Sequence, residues 1–179
     1  MESYDENSTA LKKIVLTGPE CTGKTTLAKA LAKHYKAQWV PEFARDYLEL
    51  LDRPYRESDL IAIAKVQVKR ESQFEEHSNT FLFYDTDLTV IKIWQQYKYG
   101  QANRELLDLM ASKEYHLYQL TVPDFPWEHD KLRENPNDRE ELFKVYREEL
   151  NNRKLPYRTI SGSLDSRLSK AIKYIDQLN

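Results

Sequence analysis

Residues Gly18 to Thr25 read Gly-Pro-Glu-Cys-Thr-Gly-Lys-Thr, the spacing G-x-x-x-x-G-K-[ST], and they follow directly on the apolar run Ile14-Val15-Leu16. Few folds accommodate that order. A short strand must leave a sheet, turn sharply and feed a helix whose first amides point at an anion, so glycine stands where the backbone needs freedom or close approach. Downstream, Leu27, Ala30, Leu31 and Tyr35 recur at helical spacing, as the turn requires. The loop is expected to cradle the phosphates of a nucleoside triphosphate through Gly18, Glu20, Cys21, Thr22, Gly23 and Thr26. Lys24 then reaches the β and γ phosphates, and Thr25 offers its hydroxyl to magnesium.

The rest of the 179-residue chain alternates apolar runs with helical patterns. This predicts an α/β fold, a P-loop NTPase three-layer sandwich with five mainly parallel strands over 13–17, 37–40, 80–85, 115–122 and 157–160. Phe81-Leu82-Phe83-Tyr84 is apolar on both faces, as a central parallel strand requires. A helix over about 58–76 places Leu60, Ile61, Ala64 and Val68 on one face. In the last helix Ser163 is the N-cap of a face made by Leu164, Leu168, Ala171, Ile172 and Ile175. Residues 123–136, with Pro123, Pro126 and Pro136 among many charges, read as a functional loop, giving a lid over about 123–137. The next helix starts near Asn137 or Asp138, where Asp138 and Glu141 have capping-box spacing, and its apolar face is Leu142, Phe143, Val145, Tyr146 and Leu150. Residues 1–10 are expected to be a flexible polar tail and 11–179 a single domain.

A net charge of −2 with interspersed signs argues against a nucleic-acid partner. No stretch has the length and apolarity of a membrane span or a signal peptide, so a soluble cytoplasmic protein is expected. One cysteine, Cys21, leaves no intrachain disulfide. The histidines His34, His77, His116 and His129 have no ligand spacing.

Phosphoryl transfer also needs a metal-organising carboxylate, a group for the acceptor hydroxyl and cations over the transferred phosphoryl. Asp85 ends the third strand at the sheet edge where such a carboxylate faces the nucleotide; the same position suits an Asx turn. Asp87 either caps the helix through Val90, Ile91 and Trp94 or holds a substrate hydroxyl. Pro41 in the first turn of a helix would project Glu42 and Arg45 from one face beside the phosphate loop. There the carboxylate can accept a proton from an alcohol and the arginine can hold it or contact phosphate, the plain alternative being a surface ion pair. Arg133 and Arg139 are candidates to close on the triphosphate, with Asp124, Trp127 and Asp130 shaping the pocket beneath.

With these residues in view, the chain resembles the NadR-type nicotinamide riboside kinases of the P-loop kinase and AAA-like ATPase group over nearly all of residues 11–178. The carrying segments are the phosphate loop, Val-Pro-Glu-Phe-Ala-Arg-Asp-Tyr at 40–47, Ile-Ala-Lys-Val-Gln at 63–67, Phe-Tyr-Asp-Thr-Asp at 83–87 and Asp-Phe-Pro-Trp-Glu-His-Asp-Lys-Leu-Arg at 124–133. The resemblance implies transfer of the ATP γ-phosphoryl to the 5′-hydroxyl of nicotinamide riboside, with ATP and magnesium as cofactors. It also implies strand order 2-3-1-4-5 with a lid after the fourth strand. By the same resemblance Lys24 and Thr25 are phosphate and magnesium ligands, Asp85 the metal-organising acid, and Glu42, Arg45 and Asp87 acceptor-side residues. Pro41 stands where some bifunctional members carry an aromatic ring that stacks on nicotinamide, and Lys131 where a lid glycine is common; Trp39, Tyr47 and Trp127 are the candidate rings here. A kinase for another nucleoside or nucleotide, or a nucleotide-binding switch module, remains open at this point.

Overall fold

The computed structural model describes residues 10–130 and 137–178. The tail expected over 1–10 lies outside them except at residue 10, and so do Lys131 and Arg133. Strands β1 (Lys12–Thr17), β2 (Gln38–Val40), β3 (Phe81–Asp85), β4 (Leu117–Thr121) and β5 (Tyr157–Ile160) pair in parallel in the order β2-β3-β1-β4-β5, the order expected. The helices among the described residues are α1 (Lys24–Tyr35), α2 (Phe43–Glu49), α3 (Glu57–Glu76), α4 (Leu88–Tyr99), α5 (Arg104–Ala111), α6 (Arg139–Asn152) and α7 (Leu164–Ile175).

Strand alternation distributes these helices over the two sheet faces. Ile14 and Leu16 of β1, with Phe83 and Leu117, pack against Leu27 and Leu31 of α1 and Ala171 and Ile175 of α7. Val15, Leu82, Tyr84, Tyr118 and Leu120 point the other way and meet Val90 and Ile93 of α4 and Leu142, Tyr146 and Leu150 of α6. The opposite side of α4, through Leu88 and Ile91, packs on Leu60, Ile63 and Ala64 of α3 and on Leu106 and Met110 of α5. Both faces of the sheet are thus covered, which is why β1 and β3 carry unbroken apolar runs.

Three local expectations change. The helix after Val40 begins at Phe43, so Pro41 lies outside it and Glu42 occupies the N-cap. Asp138 is the N-cap of α6 but makes no capping-box bond; its carboxylate accepts from the Tyr97 hydroxyl at 3.0 Å, a tertiary contact that displaces the local one. Leu164 of α7 is 38% exposed, while Arg167 of the same helix is fully buried. The Ser163 cap forms as expected, its hydroxyl accepting from the Ser166 amide.

Arg167 binds several turns together. Its guanidinium donates to the carbonyls of Gly162 (2.7 Å), Thr22 (3.0 Å) and Val122 (2.9 Å), pairs with the Asp124 carboxylate, and lies 4.4 Å from the Phe125 ring centre. The phosphate loop, the exit of β4 and the β5–α7 turn are therefore held by one buried cation. Replacing it with an apolar chain strands a carboxylate and three carbonyls, so Arg167→Met is expected to cost about 3–5 kcal/mol in urea unfolding. A cost under about 1 kcal/mol would show that water or neighbours replace the guanidinium readily.

Candidate active site

The carboxyl ends of β1, β3 and β4 form the site, the place where an open parallel sheet leaves a crevice for ligands. As β1 ends, Gly18 takes φ 132°, and a Cβ there would lie 2.8 Å from both the carbonyl and the hydroxyl of Thr121. Gly23, the N-cap of α1, takes φ 76°, and a Cβ would lie 2.9 Å from the Phe125 ring. Both glycines are thus demanded by conformation and by space. Thr22, fully buried, shares a 2.6 Å hydrogen bond with the Thr121 hydroxyl and reaches the Pro19 carbonyl at 2.9 Å, which pins the loop to β4. The Lys24 ammonium folds back on the carbonyls of Gly18 (3.0 Å) and Pro19 (2.6 Å). One cavity is lined by Gly18, Glu20, Cys21, Thr22, Gly23, Lys24, Thr25 and Thr26 on this side.

Register places Asp85 beside Leu16, next to the start of the loop. The Thr25 hydroxyl donates to Asp85 Oδ2 at 2.6 Å, and the buried Oδ1 has no partner among the described residues. Burial pushes this carboxyl above the ordinary range, opposed by the Thr25 bond and by Lys24. A hydroxyl and a carboxylate with an oxygen to spare suit magnesium, which takes oxygen ligands and is held by one or two protein groups plus phosphate oxygens. Among the described residues no cluster of three or more His, Cys, Asp or Glu side chains is placed to hold a metal.

Glu42 and Arg45 line the same cavity from α2. Burial pushes the Glu42 carboxyl up to about 7; Lys24 and Arg45 pull it down, the neighbouring Asp85 pushes it further up, and the Thr86 hydroxyl bonds to it. Thr86 takes φ 70°, a left-handed conformation costly for a β-branched residue, and its amide donates to the Leu16 carbonyl at 3.0 Å. Arg45 donates to Asp130 (2.9 Å) and Glu49 (3.2 Å), so one arm of the guanidinium crosses to the segment after β4. Asp87 lies deeper, 4% exposed, with Oδ2 accepting from the hydroxyls of Thr89 (2.8 Å) and Tyr118 (3.0 Å). It occupies the N-cap position of α4 and is not part of the cavity lining.

The remaining wall was not legible beforehand. Leu48, Val90, Trp94, Leu142 and Tyr146 complete the cavity. Val90 and Trp94, like Leu142 and Tyr146, are spaced i, i+4, so their periodicity marked a core face without marking where that face opens into a cleft. The rings expected from sequence lie elsewhere. Trp39 sits under the Lys29 ammonium, the Tyr47 hydroxyl donates to Asp59, and Trp127 lies 5.7 Å from the Arg139 guanidinium. That guanidinium also donates to the carbonyls of Phe125 (2.9 Å) and Cys21 (3.4 Å), bringing Arg139 against the phosphate loop, and the Cys21 thiol donates to the Pro126 carbonyl. Arg133 lies outside the described residues. Asp124, expected beneath the pocket, instead pairs with Arg167 and accepts from the Gly162 amide at 2.7 Å.

The AAA domain family profile matches residues 13–167. The chain belongs to that family. Among solved structures it is similar to NadR in complex with NR, at TM-score 0.76 and 20% identity over 94% of this chain and 52% of that one. NadR in complex with NAD and AMP-PNP gives TM-score 0.74, 20% identity and coverage of 94% and 49%. The chain thus spans about half the length of the NadR chains it matches. Thymidylate kinase from Ehrlichia chaffeensis is matched at TM-score 0.65 and 13% identity, over 93% of this chain and 99% of that one. These likenesses show the P-loop NTPase α/β fold. Comparison with curated protein sequences gives no match. No helix among the described residues is long and apolar enough to cross a membrane.

Two carboxyls, the partly buried Glu42 on the cavity wall and the fully buried Glu71, are both pushed up to about 7, chiefly by desolvation. In the unfolded chain each ionises near its ordinary 4.5, so the folded chain retains protons that the unfolded chain has released. Their contribution to stability is complete below about pH 4.5 and is lost as pH rises through about 7. Glu42→Gln, which cannot ionise, is expected to be relatively more stable than the parent at pH 8 than at pH 5 in urea unfolding. An identical difference at both pH values would place the Glu42 carboxyl in an ordinary aqueous environment.

Proposed function

We propose that the chain is a magnesium-dependent kinase that transfers the γ-phosphoryl of ATP to the 5′-hydroxyl of a small ribonucleoside, with nicotinamide riboside as the leading acceptor. The observation that carries this reading is that one cavity joins the phosphate loop to Glu42, Arg45 and an apolar wall containing Trp94 and Tyr146. A nucleotide switch needs no carboxylate at that place, whereas a kinase needs one to receive the acceptor proton. Nicotinamide riboside is favoured by the motif resemblance and by the fold shared with NadR bound to NR. A flat ring also suits a wall bearing two aromatic side chains.

In this reading ATP supplies the phosphoryl group, and Thr25 and Asp85 would hold a magnesium ion, which would neutralise phosphate charge. Lys24 leaves the carbonyls of Gly18 and Pro19 for phosphate oxygens. Glu42, ionised, takes the proton of the attacking hydroxyl on its carboxylate oxygen, and Arg45 holds the acceptor or the transferred phosphoryl. Residues 123–137 act as the lid. Within it Phe125 and Pro126 rest on the phosphate loop, beside Arg139 of α6, while Asp130 reaches Arg45, so residues 125–130 run from donor side to acceptor side and exclude water. Residues 11–179 act as one kinase domain. A second reading, a nucleoside monophosphate acceptor, is favoured by the position of Arg45 in the acceptor wall.

The test is ADP release from magnesium-ATP over a panel of nucleosides and nucleoside monophosphates that includes nicotinamide riboside. Stimulation by one acceptor supports the kinase, and hydrolysis that no acceptor stimulates overturns it. Lys24→Ala is expected to abolish turnover. Glu42→Gln is expected to lower kcat about 10²–10⁴-fold with little change in the KM for ATP. Because the ionised carboxylate is the active form, kcat should rise with pH through about 7.

A further inference from the structure

We infer that Gln67 is the positioning residue that aims Glu42, acting with Arg70 one turn further along α3, an inference that rests on the acceptor-side role of Glu42 proposed above. The argument begins with how α2 starts. Glu42 occupies the N-cap in an extended conformation (φ −63°, ψ 119°) and its side chain makes no cap bond, because the carboxylate is turned into the cavity. The first amide of the helix then needs an acceptor from elsewhere. Gln67 supplies it: the Phe43 N–H donates to Gln67 Oε1 at 2.9 Å.

The peptide unit on the other side of Glu42 is held from the same helix. Arg70 donates to the Pro41 carbonyl at 3.4 Å, bonds Asp46 at 3.1 and 3.2 Å, and lies 4.9 Å from the Phe43 ring centre. Glu42 is therefore gripped through both of its chain neighbours. Apolar packing of Phe43, Ala44 and Tyr47 against α3 already docks α2, so the polar grip is concentrated at the end that carries Glu42.

Gln67 is 3% exposed, and its amide can take only one orientation. Its oxygen must face the Phe43 N–H, and its nitrogen donates to Glu71 Oε1 at 3.4 Å. Glu71, fully buried, is fixed in turn by the Tyr115 hydroxyl at 2.9 Å and the Lys113 ammonium at 3.3 Å. A buried network satisfied at each step holds one geometry. A base must sit within a fraction of an ångström of its productive place, and a misplacement of about 1 Å can cost about 10²-fold in rate.

Gln67→Met keeps the length of the side chain and removes the acceptor. It is expected to lower kcat for acceptor phosphorylation about 10- to 100-fold, with the KM for ATP and acceptor-independent ATP hydrolysis unchanged. The acid limb of the kcat–pH profile should also move to lower pH as Glu42 leaves its partly buried place on the cavity wall. The groups that face Glu42 are Lys24 of α1, Asp85 and Thr86 at the end of β3, Arg45 of α2 and Tyr146 of α6, none of which is altered by this substitution. The exchange Gln67→Glu with Glu71→Gln keeps the charge and an acceptor for Phe43, and should restore most of kcat and the original pH limb. Arg70→Leu, at a partly exposed position, tests the other flank should Gln67→Met not fold, and should lower kcat in the same selective way. Unchanged kcat in Gln67→Met or, failing that, in Arg70→Leu, while Glu42→Gln is impaired, overturns the positioning role. Unimpaired Glu42→Gln instead overturns the reading on which it rests.

Discussion

The buried guanidinium of Arg167 is the constraint on which the site depends. A cation in the interior is tolerated only when every donor finds a partner, and here the partners come from separate parts of the chain: Thr22 in the phosphate loop, Val122 and Asp124 after β4, and Gly162 before α7. Of these, Val122 continues the β4–β5 ladder through its amide on the Ile160 carbonyl at 2.9 Å, and the guanidinium ties that end of the sheet to the two turns. By meeting its own hydrogen-bond requirement, Arg167 sets the distance between the loop that follows β1 and the segment that follows β4. Phe125, which lies against both the guanidinium and the space above Gly23, is placed by the same interaction.

Around that frame the site concentrates carboxylates in a poorly hydrated place. Burial raises Glu42, Asp85 and Asp87 alike; Lys24 and Arg45 compensate only part of that cost at the first two, and the Thr89 and Tyr118 hydroxyls with Arg153 at the third. Such an arrangement is unfavourable for the empty fold, since ionised carboxylates near one another repel and lose hydration. It is favourable for chemistry that brings its own cation, because the spare oxygen of Asp85 then gains a partner. Thr86 adds a second cost. A β-branched residue at φ 70° stores about 1–3 kcal/mol, and it does so between Asp85 and Asp87 with its hydroxyl on Glu42.

The strands and most helices were legible because burial on both faces writes continuous apolar runs, and one-sided burial writes a 3.6-residue period. The places of Glu42 and Arg45 on the cavity wall were legible because residues that follow a parallel strand face the crevice, and that of Asp85 beside Thr25 because it ends the strand next to the phosphate loop. Trp94 and Tyr146 were not. Each continues an apolar helix face at i, i+4, and nothing in the spacing distinguishes a ring against the core from a ring on a cavity wall. Gln67 and Arg167 were hidden for the opposite reason, since a polar residue inside a helical pattern reads as a solvent-facing interruption until its distant partners are known. Asp87 was legible in part: its N-cap position in α4 and the nearby Thr89 hydroxyl are local, whereas the Tyr118 hydroxyl that also holds it comes from another strand.

The sequence alone determined that a strand, a glycine-bearing turn and a helix would build an anion cradle, and that alternating apolar runs would form a parallel sheet behind it. These follow from short-range sterics and hydrophobic period, which act within a few residues of one another. Tertiary structure alone decided that Asp138 would give up its local cap for Tyr97, that Arg167 would be buried, and that Glu42 would open into a cavity walled by Trp94 and Tyr146. Those outcomes depend on which distant groups meet when two helical layers close on the sheet, and a buried polar group takes whatever partner that closure brings within reach.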